Sequence, residues 1–212
     1  MLATHHTRFV AEDVRGRPLV RAGVRVDVDL GIACIANAVG LPRLWGRTVN
    51  AALDGFVEGF RTSRESGRAR VDEAVRHAQR SLKQSAETLI ERMVPDVAFT
   101  AVVLNDGHVH AINAGTSRIY VHRQHEPKRL TPRTDETAGL LRTTPTHASE
   151  AVAPGDLVLL GTQSAFSVRA IGKLASLLDV TPNATPDAIT KLLVEPAESA
   201  GVGAAAVALR VH

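Results

Sequence analysis

Cysteine is almost absent from this sequence: Cys34 is the only one among 212 residues. A single cysteine cannot form a disulfide within the chain. Cys34 lies in the apolar run GIACIANAV, and a cysteine in such a run behaves as a small hydrophobic residue. We therefore predict that Cys34 is a buried core residue and not a reactive thiol.

Aromatic residues are also scarce, and positive charge is not concentrated. Phe, Trp and Tyr make up 3% of the residues, and the formal net charge is only +3, carried mainly by scattered arginines. Proteins that bind nucleic acid usually present a clustered basic face, often with aromatic side chains on which bases stack. These two absences predict that nucleic acid is not a partner.

Long hydrophobic runs are missing as well. No apolar run approaches the ~20 residues that cross a membrane as a helix. The first ten residues, MLATHHTRFV, lack the cationic stretch and apolar segment of a secretory signal. With 44% hydrophobic and 22% charged residues, the composition is that of a globular protein. The sequence predicts a cytoplasmic protein without membrane contact, folded as a single domain over residues 1–212.

Hydrophobic periodicity is present throughout, and its period changes along the chain. Residues 19–39 alternate and then become continuously apolar, which predicts one strand running from the edge of a sheet into its interior. Two helices are predicted next, and the second ends at Pro95. Their inward faces are Leu44, Val49, Leu53, Val57 and Phe60, and then Val71, Val75, Ala78, Leu82, Ala86, Leu89 and Met93.

The second half of the sequence returns to strands. Two alternating apolar runs around Asp106-Gly107 predict a β-hairpin. Residues 124–154 are polar and rich in Pro and Thr, which predicts an excursion from the core. A strand follows at GDLVLLGTQSAF, and the chain ends in the strand AAAVALRV. This order of elements is typical of an α+β fold with mainly antiparallel sheets and helices on the outside.

Two helices are predicted between those last strands. The first should place Val168, Ile171, Leu174 and Leu177 inward. The second should begin with Thr185 as its N-cap and Pro186 in the first helical position.

Three sequence patterns that could indicate a functional site are each incomplete. His108 and His110 share one face of a strand, but two ligands without a third make a poor metal site. Residues 201–206, GVGAAA, have the spacing of a dinucleotide-binding loop, but too little chain follows to complete that unit. The sequence also lacks the Gly-x-Ser-x-Gly elbow that would position a serine nucleophile.

Several short motifs, taken in order, resemble those of the protein phosphatase 2C (PPM) family of metal-dependent serine/threonine phosphatases. The matches are RFVAED at 8–13, CIANAVGLP at 34–42, GTSRIYV at 115–121, Leu130-Thr131, and LLGTQSA at 159–165 preceded by Pro154-Gly155-Asp156. The last family motif, Asp-Asn before the terminal strand, should fall at about Val202 and Gly203. The resemblance spans nearly the whole chain. It implies a four-layer α-β-β-α fold, in which two mainly antiparallel β-sheets pack as a sandwich flanked by α-helices.

In that family, the acidic residues of these motifs hold two divalent cations, and a water shared by the cations attacks the phosphate. Mg²⁺ and Mn²⁺ prefer anionic oxygens, and two dications about 3.5–4 Å apart repel one another unless carboxylates neutralise them. Asp13 keeps its carboxylate. Four other acidic positions of the motifs carry no charge here: Asn37 and Ala38 replace Asp-Gly, Thr116 and Gln163 each replace an Asp, and Val202 and Gly203 stand where Asp-Asn is expected. The resemblance therefore implies that the two-metal centre is absent, that no residue is catalytic, and that only Asp13 remains for residual metal binding.

Arg8 matches the family arginine that grips the substrate phosphate. An arginine fork binds phosphate without a metal, which makes Arg8 a candidate phosphate-binding residue. The alternative is a surface arginine paired with Glu12 or Asp13. Ser117 and Arg118 either support the hairpin beside the metal cleft, as in the family, or serve as turn formers.

These expectations describe a catalytically inactive phosphatase 2C-like domain, a pseudophosphatase, that needs no cofactor. Its partner would be a protein such as a kinase, a phosphatase or a phosphoprotein, bound at the surface around Arg8 or at residues 124–154. The alternative is a weakly active serine/threonine phosphatase in which Asp13, with Glu12, Asp29 or Asp156, holds one Mn²⁺ or Mg²⁺. The Arg-rich, Lys-poor composition indicates a bacterial source.

Overall fold

The computed structural model describes residues 3–87, 95–123, 126–133 and 139–212. Within these ranges the helices are a short 3₁₀ helix (Pro42–Leu44), α1 (Trp45–Thr62), α2 (Gly67–Glu87), α3 (Val168–Val180) and α4 (Pro186–Ser199). The strands are β1 (Ala3–Val10), β2 (Glu12–Val14), β3 (Arg17–Leu19), β4 (Ala22–Asp27), β5 (Ile32–Val39), β6 (Asp96–Asn105), β7 (His108–Ala114), β8 (Arg118–Arg123), β9 (Glu126–Arg129), β10 (Thr146–Ala151), β11 (Leu157–Gly161) and β12 (Ala204–Val211). Leu89 and Met93, predicted on the second helix, lie outside the described residues.

The strands form two five-stranded sheets and one small ribbon. The first sheet has the order β1-β12-β11-β8-β9, and the second has the order β10-β7-β6-β5-β4. β2 and β3 pair only with each other. Every pairing between the described strands is antiparallel.

Three apolar clusters hold these elements in four layers. α1 and α2 pack on the second sheet, with Phe56 and Leu82 of the helices buried against residues such as Phe99. α3 and α4 pack on the first sheet, and residues such as Ile35 and Leu160 fill the space between the sheets. The predicted α+β fold, a four-layer α-β-β-α sandwich, is confirmed.

Two local predictions are confirmed by backbone and cap geometry. Asp106 and Gly107 have φ values of 48° and 73° in the turn between β6 and β7, and two positive φ angles suit a two-residue hairpin. Thr185 caps α4, because its Oγ1 accepts a hydrogen bond from Ala188 N at 3.3 Å. The buried state of Cys34 is also confirmed: it is 0% exposed, and burial raises the pKa of its thiol to about 12.

Residues 22–39 form a hairpin, and the prediction of one continuous strand over residues 19–39 is wrong. β4 and β5 pair directly, with Asp27 opposite Ile32 at the turn. The turn forms because Asp27 Oδ1 accepts a hydrogen bond from Leu30 N at 3.1 Å and Gly31 adopts a φ of 65°. Residues 27–29, Asp-Val-Asp, continue the polar-apolar alternation of the preceding strand, so the alternation alone does not indicate a turn at this point.

The predicted inward face of α3 is right for Leu174, which is buried, and for Leu177, which packs against the same cluster, but wrong for Val168 and Ile171, which are exposed. Val168 is 91% exposed, whereas the buried residues are Ala170, Leu174 and Leu178. Leu174 belongs to two rows of apolar residues at helical spacing, one that begins at Val168 and one that begins at Ala170. The sheet packs against the row of Ala170, Leu174 and Leu178.

Residues 124–154, predicted as a polar excursion, supply an edge strand to each sheet. β9 is the last strand of the first sheet and β10 the first strand of the second. Lys128 of β9 and Glu150 of β10 form an ion pair at 2.5 Å. Edge strands tolerate polar side chains, which explains the composition of this segment.

Among the described residues, no helix is both long enough and apolar enough to cross a membrane.

The contact between α1 and α2 leads to a stability prediction. A Cβ added at Gly59 of α1 would lie 2.5 Å from His77 Cβ and 3.0 Å from Ala74 Cα of α2, whereas one at Gly46 would meet no atom within 4 Å. Gly59→Ala should therefore lower the free energy of unfolding by about 1–3 kcal/mol. Gly46→Ala, the matched control on the same helix, should be neutral or stabilise by up to about 1 kcal/mol. Urea unfolding measures both, and equal effects of the two substitutions would contradict the close packing of α1 on α2.

Candidate functional site

Several of the matched motifs meet at one end of the sandwich. Asp13 N donates a hydrogen bond to Gly201 O at 2.9 Å, which joins β2 to the loop before β12. Ser164 Oγ donates to Gly203 O at 2.7 Å, which joins the end of β11 to the same loop. The segments around Asp13, Gln163 and Val202 are thus brought together by hydrogen bonds from the Asp13 backbone N–H and the Ser164 hydroxyl.

Arg21, a residue the sequence did not single out, lies at the centre of this meeting point. Its Nη1 donates to Glu12 Oε2 at 2.8 Å, and its Nε donates to Ala38 O at 3.3 Å. Glu12 belongs to the Glu-Asp motif and Ala38 replaces the glycine of the Asp-Gly motif. One guanidinium therefore bridges two motifs that the family resemblance assigns to metal binding.

Packing fixes the Arg21 guanidinium in this position. It lies 5.1 Å from the ring centroid of Trp45, whose Nε1 donates to Gly40 O at 3.0 Å. A cation over an indole face is attracted by the ring quadrupole. We call Glu12, Arg21, Ala38 and Trp45 the Arg21 site.

Gly203 lies against the Arg21 site, where there is little room for a side chain. A Cβ at this position would lie 3.2 Å from the Cβ atoms of both Arg21 and Glu12. Contacts that short are tighter than usual, so a side chain at position 203 would require Arg21 or Glu12 to shift by a few tenths of an ångström. The position that matches the family asparagine therefore lies in close contact with both members of the ion pair.

Asp13, the one carboxylate retained from the matched metal positions, serves the β2–β3 turn. Its Oδ1 accepts a hydrogen bond from Gly16 N at 2.6 Å, and the residue is exposed. Arg15 and Gly16 in this turn have positive φ values of 56° and 77°. A carboxylate that caps such a turn has a structural role without any metal.

The neutral positions differ in their surroundings. Gln163 is exposed, and Val202 is 39% exposed. Asn37 Oδ1 is buried and has no hydrogen-bond partner within the described protein. An amide oxygen in that situation is tolerated more easily than a carboxylate, because a buried unpaired charge costs far more than an unpaired dipole.

Thr116 and Ser117 lie in the turn between β7 and β8, after Gly115 with a φ of 96°. Ser117 is 1% exposed, and Arg118 Nη1 donates to Phe166 O at 2.8 Å, which ties β8 to the segment after β11. Arg118 thus supports the local scaffold. None of these contacts includes a residue of the Arg21 site.

The residues present do not fit a two-metal centre. No three His, Cys, Asp or Glu side chains of the described residues come together in a group that could hold a metal ion. The Glu12 carboxylate already pairs with a cation, the Ala38 carbonyl already accepts from the same cation, and Asp13 caps a turn. A guanidinium in contact with both oxygens would repel a dication placed between them.

The displaced acids of the alternative prediction lie elsewhere. Asp29 is in the β4–β5 turn, at the opposite end of that hairpin from Ala38, a separation of about 17–20 Å at the usual rise per residue. Asp156 precedes β11, whereas Gln163 follows it. Neither acid is placed to complete a metal site with Asp13.

Arg8 lies on β1 and its guanidinium faces α4. Its Nη2 donates to Asp187 Oδ1 at 3.3 Å, and His6 Nε2 lies 3.1 Å from the same oxygen. His6 Nδ1 and Thr190 Oγ1 are 2.7 Å apart. The acidic partner of Arg8 is thus Asp187 of α4, and neither Glu12 nor Asp13.

Comparison with solved structures identifies this architecture. The Mycobacterium tuberculosis serine/threonine phosphatase PstP/Ppp superposes with a TM-score of 0.82 at 14% identity, over 100% of both chains. PppA, a regulatory component of T6SS in Pseudomonas aeruginosa, gives 0.83 at 15% identity, over 100% of this chain and 99% of that one. MsPP, a PPM Ser-Thr phosphatase from Mycobacterium smegmatis solved with cacodylate, gives 0.76 at 18% identity, over 99% and 98%. The fold is that of the PPM serine/threonine phosphatases.

The similarity to PPM phosphatases is one of structure. No protein-family model and no curated protein sequence matches this chain. At identities of 14–18%, the match establishes the PPM fold of the chain, and the chemistry has to be judged from its own side chains.

The position of Arg21 follows from the β4–β5 hairpin. Ala22 pairs with Asn37, so the preceding residue, Arg21, stands opposite Ala38. Ala38 N donates to Arg21 O at 2.8 Å and extends the ladder by one residue. The signal was therefore present in the sequence, but it becomes readable only when residues 19–39 are divided into two strands.

Asp156, the acid of the Pro-Gly-Asp motif, has a structural role, and its contribution to stability depends on pH. Its carboxylate pairs with Arg123 at 2.6 Å and accepts from Ala153 N at 2.9 Å. Burial opposes ionisation, but these hydrogen bonds outweigh it and hold the pKa of Asp156 below its usual value. A lowered pKa means that the ionised form stabilises the fold above the unfolded pKa, and that this contribution is lost as the pH falls through the folded pKa.

Asp156→Asn should accordingly lower the free energy of unfolding at pH 7 by about 1–3 kcal/mol. The difference from the parent protein should begin to shrink below about pH 4, where this carboxyl becomes protonated in the unfolded chain, and should disappear as the pH falls through the lowered pKa of the folded state. Asp54→Asn is the matched control, since Asp54 forms an exposed pair with Arg25 and should contribute less than about 1 kcal/mol. Urea unfolding at several pH values measures both. A deficit for Asp156→Asn that stays constant down to pH 3 would contradict this account.

Proposed function

We propose that this protein is a pseudophosphatase: a PPM fold that has lost metal-dependent phosphate hydrolysis and acts by binding a protein partner. The observation that carries the proposal is the Arg21 site. There, a guanidinium contacts the Glu12 carboxylate and the Ala38 carbonyl, in motifs that match metal-binding motifs of PPM phosphatases.

The chemistry of the matched positions supports the loss of hydrolysis. A metal pair needs several carboxylates to balance its charge, and Asn37, Thr116, Gln163 and Val202 supply none. Without such a pair, the site lacks the group that would activate a water for attack on phosphate. The preserved layers of the fold then serve as a scaffold for surface contacts.

Phosphate release tests the loss of hydrolysis directly. With a phosphothreonine peptide and saturating Mn²⁺, the protein should release no phosphate above background, and Asp13→Ala should be indistinguishable from the parent. An active PPM phosphatase in the same assay sets the sensitivity. A malachite-green assay and a radiolabelled peptide give two independent readouts.

The alternative function, a weakly active Mn²⁺- or Mg²⁺-dependent serine/threonine phosphatase, makes the opposite prediction. Metal-dependent turnover that disappears in Asp13→Ala would establish it and overturn the pseudophosphatase. Asp54→Ala removes a carboxylate from the exposed ion pair with Arg25 and should leave any such turnover intact. This control separates loss of a metal ligand from general destabilisation.

For partner binding, the surface around Arg8 is the candidate for a phosphorylated residue. The Arg8 guanidinium and His6 converge on a single carboxylate oxygen of Asp187. A phosphate group carries the same sign of charge and has more acceptor oxygens, so it could replace that carboxylate on Arg8. Asp187 is 59% exposed in its side chain and can move aside.

Competition by Asp187 gives a specific expectation for phosphopeptide binding. Asp187→Asn should tighten binding of a phosphothreonine peptide by about 5- to 10-fold, because it removes one competing charge. Arg8→Ala should abolish binding. Fluorescence anisotropy with a labelled peptide measures both, and the unphosphorylated peptide should not bind.

Glu195→Gln is the matched control for that series, since it removes an acid of α4 that pairs with Lys173. It should leave the affinity of the peptide unchanged. Equal affinities for the parent, Arg8→Ala and Asp187→Asn would show that no phosphoresidue binds at Arg8 and would favour a partner that does not require phosphorylation.

Other features of the proposed role remain predictions from the sequence. They are the cytoplasmic location, the bacterial source, the contribution of residues 124–154 to partner contact, and the exclusion of nucleic acid. β9 and β10, which lie in that segment, are the edge strands through which a partner would reach both sheets.

A further inference from the structure

We infer that the Arg21 guanidinium is the built-in cation of this protein, and that it masks a divalent-cation site formed by Glu12 and the Ala38 carbonyl. The inference deepens the proposed function and rests on its premise that no metal pair occupies this end of the sandwich. It assigns to one arginine the charge balance that a bound metal would otherwise provide.

The ligand chemistry of the Arg21 site supports this inference. The two groups that Arg21 contacts are a carboxylate oxygen at 2.8 Å and a backbone carbonyl oxygen at 3.3 Å. These are oxygen donors of the kind that Mg²⁺, Mn²⁺ and Ca²⁺ prefer. A guanidinium offers donors and no acceptor, so it satisfies the same oxygens by hydrogen bonds.

Burial and space make the arginine a fixed part of the site. The side chain of Glu12 is 19% exposed and that of Arg21 is 34% exposed. The Trp45 ring covers the guanidinium, and Gly203 leaves room for the Cβ atoms of both partners of the ion pair. In a fully exposed ion pair, solvent ions readily replace either partner. The Arg21–Glu12 pair also contacts the Trp45 ring, the Ala38 carbonyl and the backbone at Gly203.

Removal of the arginine should therefore leave the Glu12 carboxylate, whose side chain is 19% exposed beside Arg21, without its cation. Such a group is unfavourable, and a divalent ion from solution can restore the charge balance. A ligand that binds only the folded state raises the melting temperature in proportion to ln(1 + [ligand]/Kd). The masked site should thus become visible as metal-dependent stability.

Thermal unfolding in EDTA and in millimolar Mn²⁺ tests the inference. The parent protein should melt at the same temperature in both. Arg21→Ala should melt about 3–8 °C lower in EDTA, and Mn²⁺ should restore about 2–5 °C of that loss. Arg21→Gln, which keeps hydrogen-bond donors but not the charge, should show the same Mn²⁺ response even if the alanine variant folds poorly.

Three controls make the readout specific. Arg21→Lys restores a cation and should show no Mn²⁺ response. Arg25→Ala removes an arginine of β4 that pairs with Asp54 at 2.9 Å and should also show none. Adding Glu12→Gln to Arg21→Ala should abolish the response, because it removes the carboxylate.

The opposite results would overturn the inference. One is a rise in the melting temperature of the parent protein in Mn²⁺ that Glu12→Gln removes. The other is an equal change in melting temperature with Mn²⁺ in Arg21→Ala and Arg25→Ala. These outcomes are independent of the phosphate-release assay. A parent protein without turnover but with a Glu12-dependent Mn²⁺ response would overturn this inference alone, whereas metal-dependent turnover would overturn the proposed function.

Discussion

The ion pair between Arg21 and Glu12 links the strands that meet at one end of the sandwich. It joins β2 to the start of β4, and the second hydrogen bond of Arg21 joins both to the end of β5. Gly203 then allows the segment before β12 to pack against the pair. One side chain thus supplies both a positive charge and the cross-links between these strands.

The rest of the fold does not depend on the acidic residues that the chain lacks. Its layers are held by apolar clusters above, between and below the two sheets. Carboxylates at strand ends contribute little to such a core, so neutral residues can replace them at little cost to stability. The TM-score of 0.83 with PppA at only 15% identity is consistent with this separation of framework and chemistry.

The sequence predicted those features that depend on local chemistry. The Asp106-Gly107 turn, the Thr185 cap and the burial of Cys34 each follow from a few adjacent residues. The inward face of α3 and the partners of Arg8 and Arg21 depend instead on which strand or helix packs alongside, and periodicity does not contain that information. The β4–β5 turn is not evident from the alternation of residues 19–39. Without that turn the contact of Arg21 with Ala38 cannot be predicted, since the register of the hairpin places these two residues opposite each other.

The most direct test of the central claim is a crystal structure of the protein grown or soaked in Mn²⁺, with anomalous diffraction data. No anomalous peak is expected between Glu12 and the Ala38 carbonyl, and the density should show the Arg21 guanidinium in contact with both. Two anomalous peaks about 3.5–4 Å apart at this site, with Arg21 displaced, would contradict the claim.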